Sequence, residues 1–305
     1  MTASSPLPFA VVGAAGRTGA AAADALLRSG HAVRVVVRTP DQGRAWAERG
    51  AGIALADLTD FASMAEALGR VQGAYVVCPQ SYSREDLFER ADAIACTTAR
   101  AALAAGVPKL VALSSVGADL ESGTGWIGMN RMFEQRLAEA GIPTTFLRAA
   151  YFMENWLPMV EQAVRAGMLP TFLAPPQRRL PMVATADVGI AAAGLLREAW
   201  TGNRIVTLAG PEDYAPADVA AILSARLGKP VDVTVLPETA WPEALSDAHF
   251  SKAALAGFIE MTRGLNGTHI DIRSEPRAIE LAGTTPLERI VALRLSARAK
   301  QAGRA

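Results

Sequence analysis

The chain has 305 residues, half of them hydrophobic and a fifth charged, so it is long enough to bury a core without disulfide bonds or metals. Thirty basic residues balance thirty acidic ones, which argues against a nucleic-acid-binding protein that needs a strongly basic face. Every apolar run is shorter than the roughly 18 residues that cross a bilayer, so we expect no membrane-spanning segment.

The two cysteines, Cys78 and Cys96, lack the spacing of zinc ligands, and we expect no metal site. Such cysteine usage favours a reduced, cytoplasmic protein. The N-terminal segment 1–9 has no basic residue ahead of its apolar run, which is not typical of a secretory signal.

Short β-branched stretches alternate with helical stretches along the first half of the chain. This rhythm is typical of a parallel sheet with helices on both faces, so the sequence predicts a doubly wound α/β fold. The predicted strands cover 9–13, 33–37, 52–55, 73–78, 109–114 and 144–148. The predicted helices between them cover 17–29, 41–49, 60–70, 84–105 and 127–140.

The alternation becomes less regular after residue 150. We expect the proline-rich segment 168–183 to be irregular and 184–200 to form a helix. The apolar stretch 204–210 is predicted to return to the main sheet as one more strand. The remainder, from residue 214, is expected to be mainly helical, with a strand at 231–236.

These patterns predict two interleaved regions without a linker between them. The first is a nucleotide-binding domain over residues 1–155, whose sheet 204–210 completes. The second is a smaller, mostly helical region over residues 156–305, which we expect to hold the substrate.

A glycine-rich stretch, GAAGRTG, follows the first predicted strand and opens the first predicted helix. In that context Gly13 permits a tight turn, Gly16 lets the backbone approach a phosphate, and Gly19 lets the helix pack on the strand. The free N–H groups at the helix start attract a pyrophosphate. The stretch therefore predicts a dinucleotide site, the alternative being an ordinary glycine-rich turn. The other predicted binding residues of this loop are Arg17 and Thr18.

The residues that follow the second and third strands indicate which dinucleotide binds. NAD-binding versions carry an acidic residue about 20 positions after the loop, for the ribose 2′-hydroxyl. Here Arg38 ends the second strand instead, and two guanidiniums, Arg17 and Arg38, suit a 2′-phosphate. We therefore predict NADP(H), although Arg38 also fits a solvated strand end. Asp57 and Leu58 are expected at the adenine edge, with a turn as the alternative role of Asp57.

Three further residues at strand ends are predicted cofactor contacts. Cys78 and Pro79 end the fourth strand, where the switch-point rule places the ligand. Cys78 fits a small buried apolar residue better than a nucleophile. Ser114 ends the fifth strand, where it would bind the nicotinamide or only cap the backbone.

Seven short motifs resemble, in this order, those of the NmrA-like family, an atypical branch of the short-chain dehydrogenase superfamily: VVGAAGRTG, VRVVVR, ADLTDFASMAEAL, LSSVGA, FEQRLAEAGIPTTFLRAAYFMEN, LPMVATADVG and GPEDYAPADVAAILSARLGKPV. The resemblance runs from residue 9 to about residue 235, and one departure is Ala15, where the family usually has Thr. It implies an NADP-binding Rossmann fold with a smaller C-terminal substrate region. It does not imply one reaction, because relatives include quinone oxidoreductases, isoflavone-type reductases and NADPH-sensing regulators.

The Tyr-x-x-x-Lys pair of the better-known short-chain dehydrogenases is missing. In those enzymes the Tyr moves a proton at the carbonyl oxygen, and the Lys cation makes its phenol more acidic. Counting back from Glu134, which resembles a family glutamate, places the pair at Trp126 and Asn130. An indole N–H gives up no proton near neutral pH and Asn carries no charge, so ordinary alcohol–ketone chemistry through this pair is excluded.

The stretch FLRAAYFMENW resembles the quinone oxidoreductase branch, in which this segment lies near the nicotinamide. The resemblance implies that Phe152 contacts the cofactor and that Tyr151 is the best candidate for a proton donor. Core packing is the alternative role for Phe152 and for the tryptophan four residues later. The predicted acceptor pocket is flat and aromatic. Its expected lining residues are Trp126, Asn130, Tyr151, Asn155 and Trp156.

Two functions are consistent with these residues. The first is an NADPH-dependent oxidoreductase that passes hydride to a quinone-like or other activated small molecule, for which little acid help is needed. The second is a non-catalytic NADP(H)-binding sensor or regulatory protein. A free pocket beside the nicotinamide favours the enzyme, and one filled by Trp126 or Trp156 favours the sensor. A homodimer or a regulatory protein partner stays open.

Overall fold

A parallel sheet of eight strands lies at the centre of the part of the chain that this computed structural model describes, residues 6–271 and 277–302. The strands are β1 (Phe9–Val12), β2 (Val33–Val37), β3 (Gly52–Leu55), β4 (Gly73–Val76), β5 (Leu110–Ser115), β6 (Thr144–Ala149), β7 (Tyr151–Phe152), β8 (Met168–Thr171), β9 (Leu180–Val183), β10 (Arg204–Ala209), β11 (Asp213–Tyr214), β12 (Asp232–Val235) and β13 (Ile279–Ala282). The order across the large sheet is β13-β10-β6-β5-β4-β1-β2-β3.

Helices cover both faces of this sheet. The helices of the described residues are α1 (Arg17–Arg28), α2 (Pro40–Ala47), α3 (Phe61–Leu68), α4 (Leu87–Ala104), α5 (Ile127–Glu139), α6 (Leu157–Ala166), α7 (Thr185–Arg197), α8 (Pro216–Leu227), α9 (Trp241–Ala244), α10 (Lys252–Asn266) and α11 (Leu287–Ala302). One core joins the sheet to α1, α2 and α7, and a second joins it to α3, α4 and α5. This is the doubly wound Rossmann arrangement, so the predicted fold class is confirmed.

Glycine and proline set where two of these helices stop. After α4 and α5, Gly106 and Gly141 adopt φ of 64° and 69°, a left-handed conformation that a residue with a Cβ reaches only with strain. Pro108 and Pro143 follow two residues later and cannot continue a helix. The chain therefore turns directly into β5 and β6.

The strand β10 lies beside β6 in the large sheet, as the sequence predicts for 204–210, and β13 adds a further parallel strand outside it. β13 has only four residues and is exposed along most of its length. Sequence periodicity therefore gave no signal for it, and its segment was expected to be helical.

The prediction that 168–183 is irregular is wrong at both ends. β8 pairs in parallel with β12, and β9 lies between β7 and β11. Pro170 is tolerated in β8 because a two-stranded sheet leaves one edge of each strand unpaired. These small sheets and α6, α8 and α11 enclose a separate apolar core. Among the described helices, none combines the length and apolarity needed to cross a membrane.

Candidate active site

The glycine loop connects the carboxyl end of β1 to α1, at the point where the order of the large sheet reverses between β4 and β1. Gly13 has φ of +81°, and a Cβ there would lie 2.6 Å from Val77 Cγ2. A Cβ on Gly19 would lie 2.3 Å from the Gly13 carbonyl oxygen. Gly16 closes the turn by donating its N–H to that oxygen at 2.9 Å. The loop thus tolerates no side chain at Gly13 or Gly19.

The first turn of α1 is open to an anion. Gly16 is its N-cap, no side chain caps its N–H groups, and its first turn holds no acidic residue. The unpaired N–H groups and the positive end of the helix dipole therefore face the loop. Thr18 is buried beneath it, whereas Arg17 is exposed.

Arg17 and Arg38 are both exposed, and neither guanidinium has a hydrogen-bond partner within residues 6–271 and 277–302. The Arg38 backbone N–H is held by Gln42 Oε1 at 3.0 Å, which fixes the start of α2 next to the loop. No carboxylate stands at the end of β2. The two cations are free to bind a phosphate group.

Asp57 and Leu58 follow β3 at the same edge of the sheet. Asp57 Oδ1 accepts hydrogen bonds from Thr59 N at 2.8 Å and from Thr59 Oγ1 at 2.7 Å, which makes it a turn residue. The backbone hydrogen bond from Thr59 is the main cause of the lowered pKa of this carboxyl, and the cations Arg90 and Arg38 lower the pKa further. Leu58 is half-buried against the core on the α3 side.

Cys78 is a packing residue, as the sequence indicates. Burial raises the pKa of its thiol to about 12, and its Sγ lies 3.7 Å from the Ala91 carbonyl oxygen. A thiol with that pKa forms almost no thiolate near neutral pH, so it is a poor nucleophile. Pro79 is exposed at the end of β4, on the side of the glycine loop.

The Ser114 hydroxyl has a protein partner in this structure. It is 3% exposed and donates a hydrogen bond to Glu134 of α5. Glu134 is also held by Arg148, through Nε at 2.9 Å and Nη2 at 2.7 Å, and Asp119 lies 3.4 Å from Nη1 of the same guanidinium. Successive residues of a strand point to opposite faces, and the face that Ser114 occupies is the one covered by α5.

This buried ion pair, Glu134–Arg148, is a feature that sequence reasoning missed. Both residues are under a tenth exposed. The available signal was Arg148, the single charge of β6, whereas Glu134 is one of several charged residues of α5 and gave no such signal. The pair joins the carboxyl ends of β5 and β6 to α5 at the edge of the site.

Trp126 and Asn130 lie one helical turn apart at the start of α5. Trp126 is 8% exposed, and its indole N–H donates to the Ala254 carbonyl oxygen at 2.8 Å. Asn130 is half-buried, and its amide has no partner among the residues that the structure describes. Neither side chain supplies the acid–cation pair of the better-known short-chain dehydrogenases.

The remaining predicted residues lie on β7 and on the short 3-10 helix after it, and they differ in how far they are buried. Tyr151 is half-buried and Asn155 is exposed. Burial raises the pKa of the Tyr151 phenol to about 12, although a hydrogen bond with Asn155 acts in the opposite direction and lowers it. Phe152 is half-buried against the core of the large sheet. Trp156 is 1% exposed, and its N–H lies 3.4 Å from Met182 Sδ, so it packs in the core instead of lining a pocket.

A second buried carboxylate holds this segment in place and had no sequence signal. Glu154 is 7% exposed and accepts hydrogen bonds from Thr185 N at 3.0 Å and Thr185 Oγ1 at 2.6 Å. It therefore attaches the Tyr151 segment to the start of α7, which packs closely on α1. The Tyr151 segment and the glycine loop are therefore attached to the same pair of packed helices, α7 and α1.

The chain is similar to known reductases along most of its length. It is 30% identical over 259 residues to NAD(P)H azoreductase of Xenophilus azovorans, covering 81% of this chain and 86% of that protein. It is 29% identical over 239 residues to quinone oxidoreductase 2 of Escherichia coli strain K12, covering 78% and 80% of the two chains.

The crystal structure of an NADPH-dependent quinone oxidoreductase from Escherichia coli, complexed with NADPH, superposes with a TM-score of 0.79 at 25% identity. The superposition covers 94% of this chain and 99% of that one. The model of the NmrA-like family matches residues 8–288. This match, together with the glycine loop and the parallel sheet, shows that the chain belongs to the NmrA-like family.

Proposed function

We propose that this protein is an NADPH-dependent oxidoreductase that transfers hydride to a quinone-like or other activated acceptor without a Tyr–Lys pair. The observation that carries the proposal is the open N-terminus of α1 beside two unpaired arginines, Arg17 and Arg38, with no carboxylate at the end of β2. The similarity to an NAD(P)H azoreductase and to a quinone oxidoreductase supports the same reaction class.

The residues present fit such a cofactor. The space that a Cβ would fill at Gly13 and Gly19 is closed by protein atoms, whereas the uncapped N–H groups in the first turn of α1, after Gly16, are available to a pyrophosphate. Arg17 and Arg38 would hold the 2′-phosphate through paired, charge-assisted hydrogen bonds. When bound, NADPH supplies the hydride.

The acceptor determines how much acid help the protein must give. A ketone reduced by hydride becomes an alkoxide, whereas a quinone becomes a phenolate-like anion whose pKa is about 10. Water can protonate that anion after transfer, so the reaction does not require a tyrosine activated by a lysine. Trp126 and Asn130 at the two positions of the pair are compatible with this class of acceptor and not with a simple ketone.

Tyr151 is the proposed hydrogen-bond donor to the reduced acceptor oxygen. With its pKa raised to about 12, the phenol stays protonated throughout the working range of pH. Burial raises the pKa of this phenol above the value of about 10 that the reduced acceptor has, so net proton transfer from Tyr151 to the acceptor is unfavourable. We therefore assign Tyr151 stabilisation of the developing charge and assign the proton itself to bulk solvent, whose neutral pH lies below the pKa of the anion.

The test follows NADPH absorbance with purified protein and a panel of quinones and simple ketones. We expect consumption that requires both protein and quinone, and none with the ketones. Tyr151→Phe should lower kcat by roughly 10-fold, the value of one hydrogen bond to a developing charge, without changing the pH profile. A quinone rate equal to that of the protein-free mixture would refute the proposal.

The non-catalytic sensor is the second candidate, and one observation favours it. The indole of Trp126 stands where the better-known enzymes place their proton donor, and it is buried and hydrogen-bonded to the protein. A sensor would bind NADPH tightly and consume none with any planar acceptor. The same assay, with a parallel titration of NADPH binding, separates the two candidates.

A further inference from the structure

Helix α10 crosses the loops that leave the carboxyl ends of β4 and β5. It contacts residues 82–85, which follow β4, and residues 123–126, which follow β5. In the sheet order β4 is next to β1 and its glycine loop, and β5 is next to β4. Ligands of open α/β sheets bind outside these strand ends, so α10 lies over the acceptor side of the proposed site.

The N-terminal end of α10 is held by the loop after β4. Ser251 N donates to the Tyr82 carbonyl oxygen at 2.9 Å, and Ser251 Oγ donates to the Arg84 carbonyl oxygen at 2.8 Å. The Glu85 carboxylate accepts the first two N–H groups of the helix, at 2.9 and 3.1 Å. Such capping satisfies donors that a helix otherwise leaves unpaired.

The middle of α10 is held by Trp126 and the glycine before it. The Trp126 N–H bonds to the Ala254 carbonyl oxygen, and a Cβ on Gly257 would lie 2.7 Å from Trp126 Cδ1. Gly125 has φ of +49°, and a Cβ there would lie 1.9 Å from the Gly257 carbonyl oxygen. Loop and helix therefore touch backbone to backbone, at a separation that only glycines allow.

Aromatic rings close the same junction. Trp126 stacks on Tyr82 with ring centres 3.9 Å apart and planes inclined by 27°. It meets Phe250 edge-on at 5.2 Å and Phe258 of α10 at 5.4 Å. Trp126 thus contacts the β4 loop, the helix and Phe250, which lies two residues before the helix.

The C-terminal end of α10 is fixed as well. The Asn266 side chain accepts a hydrogen bond from Ala174 N at 2.9 Å and donates one to the Phe172 carbonyl oxygen at 2.9 Å. The Arg178 guanidinium donates to the carbonyl oxygens of Leu265 and Asn266. The helix is therefore attached at both ends and at its centre, and it has little freedom to move away from the sheet.

We propose that Trp126 is a positioning residue that fixes α10 as a roof over the acceptor site, and that this roof restricts the acceptor to thin, planar molecules. The inference rests on the proposed function. The indole N–H is used by the Ala254 carbonyl, so Trp126 acts through the helix and transfers no proton. A roof held at a fixed height admits a flat ring and excludes one with bulky groups above and below its plane.

The test compares two quinones with the same ring and different thickness, 2,5-dimethyl-1,4-benzoquinone and 2,5-di-tert-butyl-1,4-benzoquinone. Their binding to the protein–NADP⁺ complex is measured by calorimetry, where no hydride is available and turnover cannot interfere. We expect the wild-type protein to bind the dimethyl compound about 100-fold more tightly. In Trp126→Phe, which removes the indole hydrogen bond to the Ala254 carbonyl oxygen, that preference should fall about 10-fold with the NADP⁺ affinity unchanged.

Two further variants keep the test independent of one substitution. Gly257→Ala pushes a methyl group against Trp126 from the helix side and should also reduce the preference. Trp200→Phe is the matched control, because its ring lies against Lys109 and Arg204, at the amino ends of β5 and β10. It should keep the wild-type preference.

The outcomes separate this inference from the proposed function. An unchanged preference in both Trp126→Phe and Gly257→Ala would overturn the inference alone. A parallel loss of NADP⁺ affinity would also overturn it, since the role of Trp126 would then be general folding. Failure of the wild-type complex to bind either quinone would overturn the inference together with the quinone reductase proposal.

Discussion

Arg38 is the residue on which the choice of cofactor depends most. Its exposed guanidinium ends β2, where a carboxylate would instead accept a hydrogen bond from a ribose hydroxyl. We expect Arg38→Asp to weaken NADPH binding by roughly 10- to 100-fold, because it removes a charge-assisted bidentate contact and adds repulsion. NADH binding should weaken little or improve. Fluorescence titration with both nucleotides measures the change.

A matched control separates this contact from net charge. Arg226 is exposed on α8, away from the glycine loop, and Arg226→Asp changes the total charge by the same amount. It should leave both affinities as they are. Equal weakening of NADH and NADPH by Arg38→Asp would show that Arg38 does not contact the 2′-phosphate.

The buried carboxylate Glu134 predicts a large stability effect at a single residue. Glu134→Gln keeps the shape but removes the carboxylate that holds the Arg148 guanidinium through two hydrogen bonds, and breaking such a buried ion pair costs about 3 kcal/mol. Urea unfolding measures the loss. Glu139→Gln, on the exposed side of α5, should cost less than about 0.5 kcal/mol. Similar values for the two variants would contradict the account of this pair.

At the scale of elements, the crossing of α1 and α7 sets the position of the glycine loop. A Cβ on Gly189 of α7 would lie 2.3 Å from Ala21 Cβ and 2.5 Å from Ala22 N. Gly189→Ala must therefore separate the helices, and we expect a loss of about 2 kcal/mol in the free energy of unfolding, with weaker NADPH binding.

Gly194, one and a half turns later on α7, offers the control for that prediction. No atom lies within 4 Å of a Cβ built there. Gly194→Ala should stabilise the protein by about 0.5–1 kcal/mol, since alanine is the better helix former and nothing obstructs it. Thermal unfolding of the two variants gives the comparison, and equal destabilisation by both would mean that the loss at Gly189 does not come from the crossing.

The sequence predicted the elements whose local pattern and final environment agree. The strands β1, β2, β4, β5 and β6 are mainly buried apolar runs between turn signals, and β3 is a more exposed edge strand; the expected positions of all six match within a few residues. β8 and β13 were missed because each has only four residues, MLPT and IELA, too few to show a strand period. Their pairing with β12 and β10, which lie far away in the chain, is what makes them strands.

The residues of the site differ in the same way, between those with a local sequence signal and those that depend on distant neighbours. The glycine loop and Arg38 are local features and were readable from spacing. The roles of Ser114 and Trp156 depend on what lies across the fold from them, Glu134 and Met182, and no local pattern reports such neighbours. The attachment of Trp126 to α10 joins residues 128 positions apart, so only the structure brings it to light.

At the scale of the whole molecule, the buried thiol Cys78 predicts how stability varies in alkali. The folded protein holds the proton up to a pKa of about 12, whereas the unfolded chain releases it near the ordinary value of 9.0. The unfolded state therefore binds fewer protons in that interval, and stability should fall as pH rises from about 9 to 12, by up to about 1.4 kcal/mol per pH unit.

Urea unfolding at several pH values measures that slope. Cys78→Ala should flatten it even where the substitution alters stability at neutral pH. Cys96→Ala, on α4, controls for the removal of a thiol as such. A slope that is the same in all three proteins would mean that other groups determine the alkaline behaviour.

The central claim is that this chain moves a hydride from NADPH to a planar acceptor without a tyrosine–lysine pair. Its most direct test is a single-turnover reaction of the protein with duroquinone and NADPH deuterated at the transferred position, in H₂O and in D₂O. The account predicts a primary isotope effect of about 2 or more from the labelled NADPH and almost none from the solvent, because hydride transfer precedes protonation by water. Tight binding of NADPH without any oxidation would contradict the claim and leave the sensor as the function.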